Sequence, residues 1–155
     1  MGVYKGVAAG LAAVSLLAGN PAAARGDTAS AEKLRRLDIM LMVTSLRCRF
    51  GADDFQADYQ RFSARHLGEL NAAGSELRAD LSARYGAAGA NKELDRMSVR
   101  MANEYGLGHP WLDCAGLKQA ARNLAAEQDS VALAAAADSL LDRNPPATIG
   151  ILARR

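Results

Sequence analysis

The 155 residues include only two histidines, two cysteines and one tryptophan, so the side chains that usually build metal, redox and stacking sites are scarce. Two histidines cannot form a three-histidine zinc site, and the cysteines do not form a Cys-x-x-Cys pair. Aromatic residues make up 5% of the chain and β-branched residues are few, which argues against a sheet-rich fold. Neither charge sign dominates: 19 basic and 17 acidic side chains leave a net +2 with no basic run, so no electrostatic footprint for nucleic acid is present. There is no G-x-S-x-G nucleophile context, no P-loop and no G-x-G-x-x-G between a strand and a helix. The length is that of one domain, and no internal repeat divides it.

Alanine is abundant. It accounts for 33 residues and has the highest intrinsic helix propensity, so the composition predicts an all-α fold. Part of that alanine belongs to the N-terminus. Lys5 gives Met1–Lys5 a positive charge, Gly6–Ala18 is apolar, Gly19-Asn20-Pro21 breaks the pattern, and Ala22-Ala23-Ala24 supplies small residues at the −3 and −1 positions. This order of parts predicts a secretory signal peptide over residues 1–24, cleaved after Ala24. As a helix the 13 apolar residues would rise about 20 Å, short of the roughly 30 Å needed for a membrane span. No cysteine follows at a lipoprotein position, and no later run approaches spanning length. The expected mature protein is therefore periplasmic and not membrane-spanning.

In an oxidising compartment Cys48 and Cys114 are expected to form one structural disulfide. Arg47 and Arg49 flank Cys48 and would activate a free thiol there, which leaves redox chemistry as the sharper alternative.

Apolar periodicity predicts a bundle of about five helices in a domain over residues 25–144, followed by a tail over 145–155. The first helix runs from about Ala29 to Arg49, with Asp27 or Thr28 as cap. Its Ile39–Val43 run is apolar nearly all round, as expected for a central helix. A second helix begins after Asp53 or Asp54 and carries Phe55, Tyr59, Phe62, His66 and Leu70 toward Tyr85-Gly86, with a bend or break expected in Gly68–Gly74. A third starts at Asn91 and stops at Gly106. A fourth opens at Pro110 or Asp113, and a fifth is capped by Asp129 or Ser130 and closed by Asn144-Pro145-Pro146. Short connections make sequential antiparallel neighbours the expected packing. Ile149, Ile151 and Leu152 in the tail are expected to dock on the body.

Four residues stand out as candidate ligand-binding groups: His66, Glu69, His109 and Trp111. His66 and Glu69 are spaced i, i+3 on a helix and can face one side, but ferritin-like carboxylate sites repeat Glu-x-x-His on two helices and that order is missing here. The bland alternative for His66 is a half-buried histidine with one hydrogen bond. His109 lies in Gly108-His109-Pro110-Trp111, where a loop histidine beside a tryptophan and near Asp113 suits a general base or a ligand contact. Its alternative is a helix-start residue with Trp111 as a core anchor. Met40, Met42, Met97 and Met101 either fill an irregular core or line an adaptable groove between two helices.

The stretch Leu37-Asp38-Ile39-Met40-Leu41-Met42-Val43-Thr44-Ser45-Leu46-Arg47-Cys48-Arg49, with Asp53-Asp54-Phe55-Gln56-Ala57-Asp58-Tyr59 after it, resembles a family of short exported helical proteins of alphaproteobacteria. The resemblance implies export and a helix-plus-cysteine architecture, and it brings no chemistry with it. No catalytic residues, metal or cofactor are assigned. The sequence therefore favours a periplasmic, non-catalytic protein that binds an envelope protein or a small apolar ligand, with no nucleic-acid partner. A small hydrolase or metal-dependent enzyme using His66, Glu69 and His109 is the alternative.

Overall fold

The computed structural model describes residues 21–142, and side chains from Ala29 onward. These residues form five α-helices and no strand: α1 (Pro21–Cys48), α2 (Gln56–Arg65), α3 (Leu67–Tyr105), α4 (Cys114–Ala126) and α5 (Ser130–Leu141). Most of the expected signal peptide and the tail with Ile149, Ile151 and Leu152 lie outside the described residues. Among the described residues no helix is long and apolar enough to cross a membrane.

α1 already includes residues 21–28, so it does not start near Ala29, the expected cleavage point falls within the helix, and Asp27 and Thr28 do not cap it. Three alanines follow Pro21 and favour helix there. The later caps match the sequence pattern. The Asp113 carboxylate accepts from the Gly116 N–H at the start of α4, and Asp129 accepts from the Val131 N–H at the start of α5, each at 2.9 Å. At α2 the N-cap position falls on Phe55, with no side-chain cap, and Asp54 one residue earlier accepts from the Gln56 N–H at 3.0 Å.

The break expected in Gly68–Gly74 falls slightly earlier, at His66, which ends α2 and precedes α3 with φ −102° and ψ 21°. Both glycines are helical. The turn sits where a side chain can hold it: buried His66 reaches the Leu124 carbonyl on α4 at 2.8 Å. Its backbone stays paired, its N–H to the Phe62 carbonyl and its own carbonyl to the Leu70 N–H.

α3 is interrupted at Gly86, with φ 71° and ψ 165°, a conformation essentially reserved for glycine. Arg78 Nε nevertheless donates to Asn91 Oδ1 at 3.2 Å. Thirteen residues would separate these groups by about 20 Å on a straight helix, so the chain folds back at Gly86 into two arms. Helix resumes at once after the turn, and Asn91 bridges the arms instead of capping a separate helix. Gly89 permits this close return, because a Cβ there would lie 2.9 Å from Tyr85 Cβ.

Sequential packing is not the rule here. α1 packs most extensively on α3 and then on α5, while the main partner of α2 is α4. Side chains explain the pairing of α2 with α4: buried Asp58 on α2 accepts from Arg61 in the next turn and from Arg122 on α4 at 3.2 Å. α1 touches every other helix, as its all-round apolar run predicts. Leu37, Met40 and Leu41 sit in the main core with Phe55, Phe62 and residues of α4 and α5. A second, smaller cluster joins Ala31 of α1 to Ala73 and Leu77 of the first α3 arm, with Leu94 and Met97 of the second arm against it. Met40 and Met101 are therefore core residues and Met42 is exposed, so no methionine-lined groove forms. The buried hydroxyls of Thr44 and Ser45 donate to the Met40 and Met42 carbonyls within α1.

Cys48 at the end of α1 and Cys114 at the start of α4 form the expected disulfide, with Cα atoms 5.8 Å apart. Among the described residues no free cysteine remains, and the activated-thiol alternative falls away.

Candidate functional site

His109 and Trp111 are brought together, with ring centroids 4.7 Å apart in an edge-to-face contact. Both rings face the end of α5. His109 Nε2–H donates to the Leu140 carbonyl at 2.9 Å, and Trp111 Nε1–H donates to the Asp142 carbonyl at 3.1 Å. The last carbonyls of a helix lack intrahelical partners, so these two donors cap α5 from a neighbouring loop. The other His109 nitrogen is occupied as well: Nδ1 accepts from the Leu112 N–H at 3.1 Å and more weakly from the Trp111 N–H at 3.4 Å. Burial holds the His109 pKa below its ordinary value, partly opposed by the bond to Leu140. With both nitrogens engaged by backbone, the ring has no lone pair for a substrate proton.

His66 and Glu69 also meet, as their spacing predicts, with Nδ1 3.7 Å from Oε1. His66 is 2% exposed. Nε2 faces the Leu124 carbonyl, and Nδ1 is buried without a hydrogen-bond partner. His66 docks on the last turn of α4, whereas His109 lies in the loop that leads into its first turn. Cys114 and Leu124 are ten residues apart in α4, which places these points about 15 Å apart along the helix. His66, Glu69 and His109 are thus not brought into one site. Among the described residues no group of three or more histidine, cysteine or carboxylate side chains could hold a metal ion.

Asp38 and Tyr59 form a further polar pair, between α1 and α2. The Tyr59 hydroxyl donates to Asp38 Oδ1 at 3.1 Å. Burial raises the Asp38 pKa, and burial together with the neighbouring carboxylate pushes that of Tyr59 up to about 12. The pair fixes the α1–α2 crossing.

A concavity lies elsewhere, between α1, the first arm of α3 and α5, with a volume of about 350 Å³. Small side chains create it: Ala72 and Ala73 on α3 face Ala134 and Ala137 on α5, with Ala31 on α1 as a third wall. Its size is at the lower end of the range for small-molecule pockets. Glu69 and Glu76 line it from α3, two turns apart, and Glu76 Oε1 is shielded from solvent without a hydrogen-bond partner. Lys33 and Asp138 on the facing walls pair with each other at 2.5 Å. Of the four candidates read from the sequence only Glu69 lines this groove. Glu76 and the alanine walls are not among the residues that stood out in the sequence. Their signal is the run Glu69-x-x-Ala72-Ala73-x-x-Glu76, one helix face at steps of three and four.

No known protein family, no characterised protein and no solved structure matches this chain.

Proposed function

We propose that this is an exported, periplasmic, non-catalytic binding protein of the cell envelope, and that its ligand occupies the groove between α1, α3 and α5. The observation that carries the binding half of this reading is the groove itself. A bundle with a small core would be expected to fill 350 Å³ with larger side chains, yet alanines line three walls. The two histidines offered as catalytic groups hold helix ends in place, which favours binding over turnover. Export rests on the charged start, the apolar Gly6–Ala18 stretch and the Ala22-Ala23-Ala24 site.

Both halves are open to test. Ala134→Trp places a large ring at an exposed position on the groove wall, where it costs the fold little. Binding of an apolar fluorescent probe should be lost in this variant and kept in Val131→Trp, an exposed site on the same helix outside the groove. Equal probe binding by both variants would remove the groove from the proposal. For export, N-terminal sequencing of protein recovered from the periplasm should begin at Arg25, and exclusive recovery of uncleaved protein from the cytoplasm would refute it.

A further inference from the structure

We infer that the end of the bundle where α1 and α3 stop attaches the protein to the surface of an anionic phospholipid bilayer. Phe50 and Leu107 enter the bilayer interface, and Arg47 and Arg49 meet its phosphate groups. This surface is separate from the groove and does not depend on it.

The apolar part follows from where the helices end. Ile39, Val43, Leu46 and Phe50 are spaced by four, three and four residues, so they continue one face of α1 into the turn after it. The second arm of α3 runs beside α1 in the same direction, with Arg35 donating to Ser98 and Arg36 to Glu104. Ile39 is buried and Val43 half-buried, but α3 stops at Tyr105, and Leu46 and Phe50 beyond it are 45% and 86% exposed. Leu107 is 89% exposed in the loop that follows α3. That loop lies against α1, because a Cβ on Gly108 would stand 3.3 Å from Arg47 Nε. Both loops are tied down. The Cys48–Cys114 disulfide holds the chain two residues before Phe50, and His109 and Trp111 fasten the other loop to the end of α5. A single exposed apolar residue is ordinary, but here the two most exposed large apolar side chains of the described residues stand on neighbouring, fastened loops, which marks a contact surface.

Charge selects the partner. Arg36, Arg61, Arg84, Arg96 and Arg122 each hold a carboxylate, whereas Arg47 and Arg49 pair with none among the described residues. Arg49 lies instead over the Phe50 ring, 4.4 Å from its centroid. Of the acids in the two loops, Asp54 and Asp113 are turned to the Gln56 and Gly116 N–H groups at helix starts, where the helix dipole offsets their charge. That leaves Asp53 against Arg47, Arg49 and Lys118, whose ammonium donates to the Ala52 carbonyl. An aromatic and an aliphatic side chain flanked by unpaired cations suit the interface of a negatively charged bilayer. A second copy docked here by two-fold symmetry would bring these arginines toward their own like charges.

The test is flotation of the protein as cells produce it, disulfide intact, with vesicles of phosphatidylglycerol and phosphatidylcholine in equal parts or of phosphatidylcholine alone. Binding should be about tenfold or more tighter to the anionic vesicles. Phe50→Asp with Leu107→Asp should weaken it about tenfold or more, and Arg47→Gln with Arg49→Gln should bring the two vesicle types within about twofold of each other. All four positions are exposed, so these variants spare the core. Val131→Asp, an exposed apolar site at the other end of α5, should change nothing. The N-terminal apolar stretch is common to every variant, and a local probe reads this surface by itself. In Phe50→Trp the added ring's emission should shift to the blue with anionic vesicles and be quenched by brominated lipid, whereas Val131→Trp should show neither. Absence of that shift overturns the inference, as does equal affinity of the unaltered protein for the two vesicle types or binding that the loop variants leave unchanged. A concentration-dependent dimer that Phe50→Asp dissolves, without vesicle binding, overturns it in favour of a second copy. Loss of the apolar probe from the groove in Ala134→Trp bears on the groove alone.

Discussion

At the scale of single residues, His109 shows how a side chain suited to catalysis becomes a structural clamp. Its ring is neutral in the fold because burial disfavours the imidazolium, and because Nδ1 serves as acceptor for two backbone N–H groups. The folded pKa lies below the unfolded value of 6.5, so the stability this group contributes is complete above pH 6.5 and is lost as the pH falls through the lower folded value. Urea midpoints should therefore drop on acidification below 6.5, with a smaller drop in His109→Gln. That variant should also be weaker at pH 7.5, by about 1–2 kcal/mol, since the ring's bonds to loop and helix end are lost. A proton-resonance titration placing His109 above 6.5 would contradict the assignment. Asp58 gives a second case. Its carboxylate is buried while both arginine partners are largely exposed, so Asp58→Ala should cost about 1–3 kcal/mol through lost hydrogen bonds and a small void more than through lost charge.

At the scale of helices, the turn at Gly86 decides the architecture. With φ 71° and ψ 165°, a Cβ at this position brings about 1–3 kcal/mol of backbone strain, although space around it is open. Gly86→Ala should lower the unfolding free energy by that amount. Gly68→Ala, in regular helix with open space, should raise it by up to about 1 kcal/mol. Equal effects in the two variants would mean that the fold-back does not depend on glycine. Element identity was largely legible from sequence because apolar periodicity and capping aspartates are local signals, and Asp113 and Asp129 cap α4 and α5 as expected. The α2–α3 break and the pairing of helices were not. His66 turns the chain because of a carbonyl 58 residues away, and α2 joins α4 through a carboxylate and an arginine 64 residues apart. The groove escaped for a related reason: cavities depend on what small side chains on three different helices fail to fill.

At the scale of the molecule, the core is divided, and both cysteines of the disulfide belong to its larger cluster. The bond closes a loop with a sequence separation of 66 residues, for which lost chain entropy in the unfolded state is worth up to about 4 kcal/mol. The double variant Cys48→Ser, Cys114→Ser should unfold at a markedly lower temperature, and the same shift should follow reduction of the native protein. The smaller cluster of Ala31, Ala73 and Leu77 lies away from this link, next to the groove. Hydrogen exchange in the first arm of α3 should therefore be faster than in the middle of α1, and slower there once a ligand is bound. Uniform protection across both regions would speak against a divided core.

The same bond also makes the middle of the chain a ring. α2 and both arms of α3 run between Cys48 and Cys114, and the exposed Tyr85-Gly86 corner lies on that ring. A protease that cuts once at this corner severs the polypeptide without releasing a fragment. The nicked protein should migrate as one species on a non-reducing gel and as two after reduction, with the helices still docked on α1. Such a molecule has four chain ends but remains one covalent body, so a cut at this exposed turn need not end its working life.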